Sequence, residues 1–211
     1  MKKNKISKNW IIKQHRDPYF KKSKIEGYRS RSAYKLLELE KKFNFFKKKM
    51  NLIDLGSFPG GWSQVSRSKI IKGKILAIDI KKMETITGVD FLNYDFRDQE
   101  IYNKIIGIFS NEQIDVVISD MATNTSGNKD LDSIQTGDLC LEAMNLASRI
   151  LNENGVFISK IFMGVSYNEI NSKAKKNFKK VVIFKPKSSR KESREVYIYC
   201  KGPKININNL K

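Results

Sequence analysis

A lysine inside an apolar run is the side chain of this sequence that is best placed to do chemistry. Lys160 interrupts residues 156–162, a pattern that predicts a buried strand. Burial of an ammonium costs free energy unless the group is paired or loses its proton. A lysine at a strand end can also extend its amine into water. Because Lys160 falls near the carboxyl end of the strand, where α/β sheets bind ligands, we interpret it as a functional amine.

Three acidic residues follow other apolar runs at corresponding positions. Asp79 ends the second predicted strand, Asp120 directly follows the fourth, and Asp95 comes three residues after the third. An acid after the second strand can accept hydrogen bonds from both ribose hydroxyls of an adenosine, and one after the third can bind the adenine amine. Asp95 has an alternative role as the N-cap of a helix predicted over residues 99–109. Together these acids indicate a nucleoside site at one edge of the sheet.

A glycine-rich turn follows the first predicted strand, residues 52–55. Gly56, Pro59, Gly60 and Gly61 break that strand before a helical pattern resumes. Dinucleotide folds need Gly-x-Gly-x-x-Gly, because pyrophosphate binds free N–H groups at the helix start. Proline has no N–H, so this loop suits a nucleoside ligand without phosphates, and S-adenosylmethionine fits that description. A glycine turn after a strand can also be only a turn.

The elements that position these residues alternate between strands and helices. Strands are predicted over residues 52–55, 74–79, 86–92, 114–119, 156–162, 181–185 and 194–200. Helices are predicted over 33–47 with Ser30 or Ser32 as its cap, 62–73, 99–109, and 132–152 ended by Gly155. This order predicts an α/β, Rossmann-like domain over residues 31–202, with a seven-stranded, mostly parallel sheet and helices on both faces. The tail over 203–211 is expected to be disordered.

The composition favours a polyanionic partner. The 211 residues carry 41 Lys and Arg against 22 Asp and Glu, a formal net charge of +19. Each phosphate that such a protein neutralises releases counterions. Residues 1–30 alternate basic and aromatic side chains, which predicts an N-terminal arm that contacts RNA. The alternatives are a coding bias towards lysine and a solvated leader.

The remaining composition excludes several classes of protein. Cys140 and Cys200 are far apart and His15 is the single histidine, so no metal site is expected. Free thiols, and the lack of a recognisable secretory signal or long apolar segment, lead us to expect a cytoplasmic protein that does not enter a membrane. We also expect a monomer.

Six further segments form a pattern: SRSAYKL at 30–36, DLGSFPGGWSQ at 54–64, GVDFL at 88–92, DFRD at 95–98, SDMA at 119–122 and SSRKESREVY at 188–197. With these segments, the chain over residues 10–201 resembles the FtsJ-type ribosomal RNA large-subunit ribose methyltransferases. Three segments depart from the family pattern: Thr123 replaces a proline, Ser57 and Phe58 replace two alanines, and residues 163–166 replace a more polar, glycine-rich segment.

The resemblance implies S-adenosylmethionine-dependent methylation of a uridine 2′-hydroxyl in the A-loop of 23S ribosomal RNA, on the assembled large subunit. It implies a catalytic tetrad and a set of cofactor contacts. The implied tetrad is Lys35, Asp120, Lys160 and Glu195. The implied cofactor contacts are Gly60, Trp62, Asp79, Asp95 and Asp120.

We expect four arginines to contact RNA phosphates: Arg29, Arg31, Arg190 and Arg194. Three other functions remain alternatives at this level. One is the same chemistry on transfer RNA or on a messenger RNA cap, and another is a non-catalytic RNA-binding or ribosome-assembly factor. The third, a nicotinamide oxidoreductase, is disfavoured by Pro59 and the missing third glycine.

Overall fold

The molecule is built on one seven-stranded sheet. The computed structural model describes residues 17–110, 112–123 and 126–204. In this part of the chain the strands are β1 Leu52–Leu55, β2 Ile75–Asp79, β3 Asp90–Asn93, β4 Ile114–Ser119, β5 Leu151–Phe162, β6 Phe178–Phe184 and β7 Glu195–Pro203. Their order is β3-β2-β1-β4-β5-β7-β6, and β7 pairs antiparallel with β5 and β6, whereas the other neighbouring strands pair in parallel. The predicted fold class is therefore confirmed.

Helices cover both faces of the sheet. The described helices are α1 Pro18–Ile25, α2 Ala33–Phe43, α3 Gly61–Lys69, α4 Ile101–Phe109, α5 Lys129–Ile150 and α6 Tyr167–Asn177. Leu36 and Trp62 belong to the core on the face of α2 and α3. Phe109, Met144 and Phe157 belong to the core on the face of α4, α5 and α6. Because the central strands are buried from both sides, they show continuous apolar runs rather than alternation.

Strand β7 has a position that sequence order would not suggest. It lies between β5 and β6, where its antiparallel register pairs Tyr197 with Lys160 and Glu195 with Phe162. The first residue of β7 therefore lies at the same edge of the sheet as the last residues of β5. This edge is also where β1, β2 and β4 end, since those strands are parallel to β5.

Several predicted boundaries were wrong for local reasons. Helix α2 ends at Phe43 rather than near residue 47, because Asn44 adopts a left-handed conformation with a φ of 47°. Ser32 precedes that helix without a side-chain capping bond. Strand β3 begins at Asp90, and Ile86 forms only an isolated bridge with Val89.

Three helix predictions also need correction. Helix α5 ends at Ile150 and β5 begins at Leu151, so Gly155 lies inside the strand and does not end the helix. Helix α3 ends at Lys69, before the predicted residue 73. Helix α4 is preceded by Glu100, so Asp95 does not cap it.

Helix α6 was not predicted, because its pattern is weak. The segment is mostly polar, and only Ile170 and Ala174 among its residues are buried. Two apolar positions four residues apart place one narrow stripe against the sheet. Such a stripe is too short to distinguish a helix from a polar loop in the sequence alone.

The predicted N-terminal arm begins outside the described residues, since residues 1–16 lie there. From Asp17 the chain forms α1, whose first N–H groups, those of Tyr19 and Phe20, bond the Asp17 carboxylate at 3.0 and 3.3 Å. At the other end, β7 includes Pro203, the first residue of the tail predicted over 203–211. The rest of that tail, from residue 205 onward, lies outside the described residues.

Candidate active site

Four side chains from distant parts of the chain meet at the carboxyl edge of the sheet. The Lys35 ammonium lies 2.7 Å from Glu195 Oε2 and 3.8 Å from Asp120 Oδ1. The Lys160 ammonium lies 3.1 Å from the same Asp120 oxygen and donates to the Asp120 carbonyl at 2.6 Å. Lys35, Lys160 and Glu195 are each less than 10% exposed. The structure thus brings together all four residues of the implied tetrad, while their catalytic role stays a prediction.

Each of these residues is held by a different element. Lys35 comes from α2, Asp120 directly follows β4, and Lys160 lies near the end of β5. Glu195 begins β7, and its Oε1 accepts a hydrogen bond from the Ser189 hydroxyl at 2.7 Å. The site therefore depends on the packing of α2 against the sheet as well as on strand order.

Tyr197 is a member of this cluster that sequence reasoning missed. Its hydroxyl donates to Asp120 Oδ1 at 2.6 Å, and its ring lies 5.7 Å from the Lys35 ammonium. Burial and the nearby Asp120 carboxylate raise the pKa of Tyr197 well above its usual value, so the phenol stays a donor. The signal was available, because alternate residues of a strand share a face and Tyr197 follows Glu195 by two.

The charge of Asp120 is maintained by its neighbours. Burial alone raises the pKa of this carboxyl, but the Lys160 and Lys35 ammonium groups and the hydrogen bonds from Tyr197 and Lys160 outweigh it. The net pKa therefore lies below the usual value. An ionised Asp120 orients two lysines and a tyrosine at once.

The loop between β6 and β7 is fixed by a glutamate on α2. Glu38 accepts backbone hydrogen bonds from Lys187 at 2.6 Å and from Ser188 at 2.9 Å. Ser189, the next residue, holds Glu195. Helix α2 therefore supplies Lys35 to the tetrad. It also supplies Glu38, which fixes the loop that contains Ser189, the hydrogen-bond partner of Glu195.

A cavity of about 820 Å³ opens beside the tetrad. Three of the five predicted cofactor contacts, Asp79, Asp95 and Asp120, line it together with Lys160. Gly60 and Trp62 lie outside this lining. The Trp62 indole is buried, donates to the Ser32 carbonyl at 2.9 Å and packs 5.6 Å from the Tyr197 ring.

The cavity fits a nucleoside cofactor in size and in polar groups. Asp79 accepts backbone N–H bonds from Phe58 at 2.9 Å and Lys81 at 2.7 Å, which orient both of its oxygens at the cavity wall. Thr123 also lines the cavity, and its buried hydroxyl has no hydrogen-bond partner within the described residues. Gly56 brings bare backbone against the Met121 side chain, where a Cβ would lie only 1.9 Å from Met121 Cγ. A pocket of this volume and lining can hold S-adenosylmethionine.

The carboxylate of Asp95 is already paired. Arg97 donates to its two oxygens at 3.0 and 2.7 Å, and these hydrogen bonds lower the pKa of the Asp95 carboxyl. Asp95 therefore keeps only its outer lone pairs for a ligand amine.

The predicted RNA-contacting arginines mostly bond within the protein. Arg29 donates to the Glu84 carbonyl at 2.6 Å and the Thr85 carbonyl at 2.7 Å. Asp17, which the sequence analysis did not single out, pairs with both Arg31 and Arg190. Arg194 is the most exposed of the four, with 41% of its side chain accessible and a 3.6 Å contact to Asp130. A contact of any of them with RNA stays a prediction.

Asp54 is a buried acid beneath the glycine turn. It is 1% exposed and accepts a hydrogen bond from the Ser63 hydroxyl at 2.6 Å. Burial raises the pKa of Asp54 to about 7, although the Ser63 bond opposes this, and the charges of Asp120 and Asp79 raise it further.

We expect Asp54→Asn to change how stability depends on pH. The carboxyl of Asp54 binds its proton more tightly in the folded state, so its contribution is complete below about pH 4 and is lost as pH rises towards 7. Asparagine cannot titrate. The stability difference between the variant and the unaltered protein is therefore expected to change by a few kcal/mol across this range. Melting temperatures from pH 4 to 8 measure it, with the exposed Asp90→Asn as control; equal slopes in all three proteins would contradict the prediction.

Neither a membrane-spanning helix nor a group of metal-binding side chains is found among the residues that the structure describes. None of their helices is long and apolar enough to cross a membrane. Likewise, none of their His, Cys, Asp and Glu side chains form a group of three or more that could hold a metal ion.

Comparisons with known proteins identify close relatives of the chain. The sequence model of the FtsJ-like methyltransferases matches residues 28–203. A ribosomal RNA large subunit methyltransferase E of Pelagibacter ubique is 52% identical, over 95% of this chain and 98% of its own length. The protein of that name in Rickettsia akari is 47% identical, over 93% and 89%. The crystal structure of a ribosomal RNA methyltransferase from Plasmodium falciparum is 34% identical with a TM-score of 0.76, over 83% of this chain and 98% of that one.

Proposed function

Since the chain belongs to the FtsJ-like methyltransferase family, we propose that it methylates a uridine 2′-hydroxyl in the A-loop of 23S ribosomal RNA. The methyl donor would be S-adenosylmethionine, and the substrate the assembled large subunit. The names of the relatives support ribosomal RNA as the substrate class. The observation that carries the proposal is the meeting of two lysines and two acids beside a nucleoside-sized cavity.

The residues of the cavity would hold the cofactor from several sides. Asp79 would accept the ribose hydroxyls, Asp95 the adenine amine, and Asp120 would lie towards the sulfonium end. Gly60 and Trp62 would contribute through the turn that shapes the cavity wall. S-adenosylmethionine, when bound, supplies a methyl group on a positively charged sulfur.

The tetrad would prepare the ribose oxygen for attack. A hydroxyl is a weak nucleophile until its proton begins to leave, and Lys160 in its neutral form would accept or steer that proton. Asp120 and Glu195 would hold the two lysines in place through the contacts seen at 2.7 and 3.1 Å. Alignment of the oxygen with the donor supplies much of the remaining rate, because in-line displacement is sensitive to geometry.

The proposal is tested by supplying labelled methyl donor with undermethylated large subunits, free ribosomal RNA and transfer RNA, and by mapping the modified ribose. Label on a uridine 2′-oxygen of the large-subunit RNA is expected. Label on transfer RNA would favour the alternative substrate, and label on a base or on no RNA would refute the assignment. A non-catalytic assembly factor would bind the subunit and leave it unlabelled.

We expect Asp79→Ala to weaken cofactor binding by about ten- to a hundredfold, because the ribose hydroxyls of the cofactor then lack their hydrogen-bond acceptor. The backbone bonds from Phe58 and Lys81 would be lost as well. Calorimetric titration with S-adenosylmethionine measures the change. Glu84→Ala removes an exposed acid from the neighbouring loop and is the matched control. Equal affinities for Asp79→Ala and the unaltered chain would exclude the proposed ribose contact.

A further inference from the structure

Four exposed apolar side chains lie on helix α5 and on the loop that follows β5. They are Leu131 (41% exposed), Ile134 (41%), Met163 (40%) and Val165 (64%). These four make up half of the eight large hydrophobic residues that are exposed in the described part of the chain. We call these four the apolar rim. Isolated exposed hydrophobic residues are ordinary, whereas a group of them beside a site indicates a binding surface.

The rim is continuous, because its two segments touch. A Cβ on Gly164 would lie 2.7 Å from the Ser133 hydroxyl, and a Cβ on Gly137 would lie 2.6 Å from Ser166 Cβ. The loop over residues 163–166 therefore lies directly on α5. The Met163 N–H also donates to the Arg194 carbonyl at 2.9 Å, which joins the loop to β7.

Helix geometry places the part of the rim on α5, Leu131 and Ile134, between this loop and the cavity. At 100° per residue, Ile134 projects between Gly137, which faces the loop, and Asp138, which lines the cavity. Leu131 projects on the cavity side of the helix. Met163 follows Lys160 by three residues, so the rim begins about 10 Å along the chain from Lys160.

We propose that the apolar rim receives an unpaired base of the RNA substrate, within one nucleotide of the methylated ribose. This inference rests on the proposed function. Aliphatic side chains offer flat contact to a base, and the methionine sulfur interacts favourably with aromatic rings. The exposed cations Lys187, Lys191 and Arg194 on the neighbouring β6–β7 segment provide partners for the adjoining phosphates.

Charge decides between RNA and a second copy of this chain as the occupant. A second copy would bring the same net charge of +19 against these cations, whereas RNA brings the opposite charge. Sequence-specific RNA recognition also uses unstacked bases, which need apolar contact on their faces.

The double variant Met163→Ser/Val165→Ser tests the inference. We expect the KM for undermethylated large subunits to rise about tenfold or more, the loss typical of one base contact. Affinity for S-adenosylmethionine is expected to stay unchanged, as is the salt dependence of binding to a uridine-rich single-stranded oligoribonucleotide. Arg194→Ala is expected to reduce that salt dependence by about one counterion instead. Ile71→Ser, which removes an exposed apolar residue far from the rim in sequence, is the control.

A second variant reports the contact directly. Val165→Trp places an indole on the rim, and its fluorescence is expected to be quenched by the same oligoribonucleotide with affinity retained or improved. An unchanged KM in the double variant, or an unquenched indole, would overturn the inference. A change in the sedimentation of the double variant without a change in KM would show that the rim mediates self-association, and would also overturn the inference.

These results distinguish failure of the inference from failure of the proposed function. If the unaltered chain methylates no RNA, the proposed function is refuted. If the unaltered chain methylates its substrate and the rim variants do so equally well, only the base contact is refuted.

Discussion

Lys160→Ala is expected to lower methyl transfer by about a thousandfold or more, within the range that a general base contributes together with correct positioning. The variant loses the amine that lies 3.1 Å from Asp120 and lines the cofactor cavity. The cavity walls otherwise stay intact, so binding of S-adenosylmethionine is expected to be retained. Single-turnover transfer to undermethylated large subunits, with calorimetric titration of the cofactor, separates the two effects.

Lys180→Ala is the matched control, because it removes an exposed lysine from β6 without touching the site. Its transfer rate is expected to be normal. A near-normal rate for Lys160→Ala would exclude lysine from the proton transfer. A joint loss of cofactor affinity and folding would show instead that the side chain supports the structure.

Asp120→Asn is expected to lower both activity and stability, because this carboxylate is shared by more partners than any other in the tetrad. It contacts Lys35, Lys160 and Tyr197. Removing its charge leaves the nearly buried Lys160 ammonium without the carboxylate it pairs with, and leaves Lys35 with Glu195. Breaking a buried ion pair in this way typically costs about 3–5 kcal/mol of unfolding free energy. We also expect transfer to fall by about a hundredfold or more, since neither lysine keeps its position.

The pH dependence of this variant gives an independent check. The folded-state pKa of Asp120 lies below its usual value, so the stabilisation from its charge is present at neutral pH and is lost as pH falls through that folded-state pKa. The stability gap between the variant and the unaltered chain is therefore expected to narrow in acid. Asp138→Asn, an exposed acid of the same cavity, is the control. A gap that does not depend on pH would contradict an ionised Asp120.

The residues at strand ends show which features the local sequence pattern can predict. Strand β4 was predicted with its observed bounds, Ile114–Ser119, because six consecutive residues carry a buried-strand pattern that needs no distant partner. Asp79 and Asp120 were placed at the cavity for the same reason: each follows a strand whose direction is set by the α/β order. The contacts of loop residues were harder to predict from the sequence. Arg29 and Arg31 have the composition of RNA contacts, yet their guanidinium groups bond to backbone carbonyls, and Arg31 also to Asp17, within the protein.

The sequence by itself determined the α/β architecture, the glycine turn and the edge of the sheet where the cavity lies, since each is encoded within a few neighbouring residues. Only the tertiary structure decided that β7 lies between β5 and β6 and that α2 brings Lys35 to Glu195, 160 residues away in the chain. The burial of Asp54 and the bond from Tyr197 to Asp120 follow from that packing. The physical reason is that periodicity records which face of an element is buried, whereas the partner that it meets there depends on strand order and on the rest of the core.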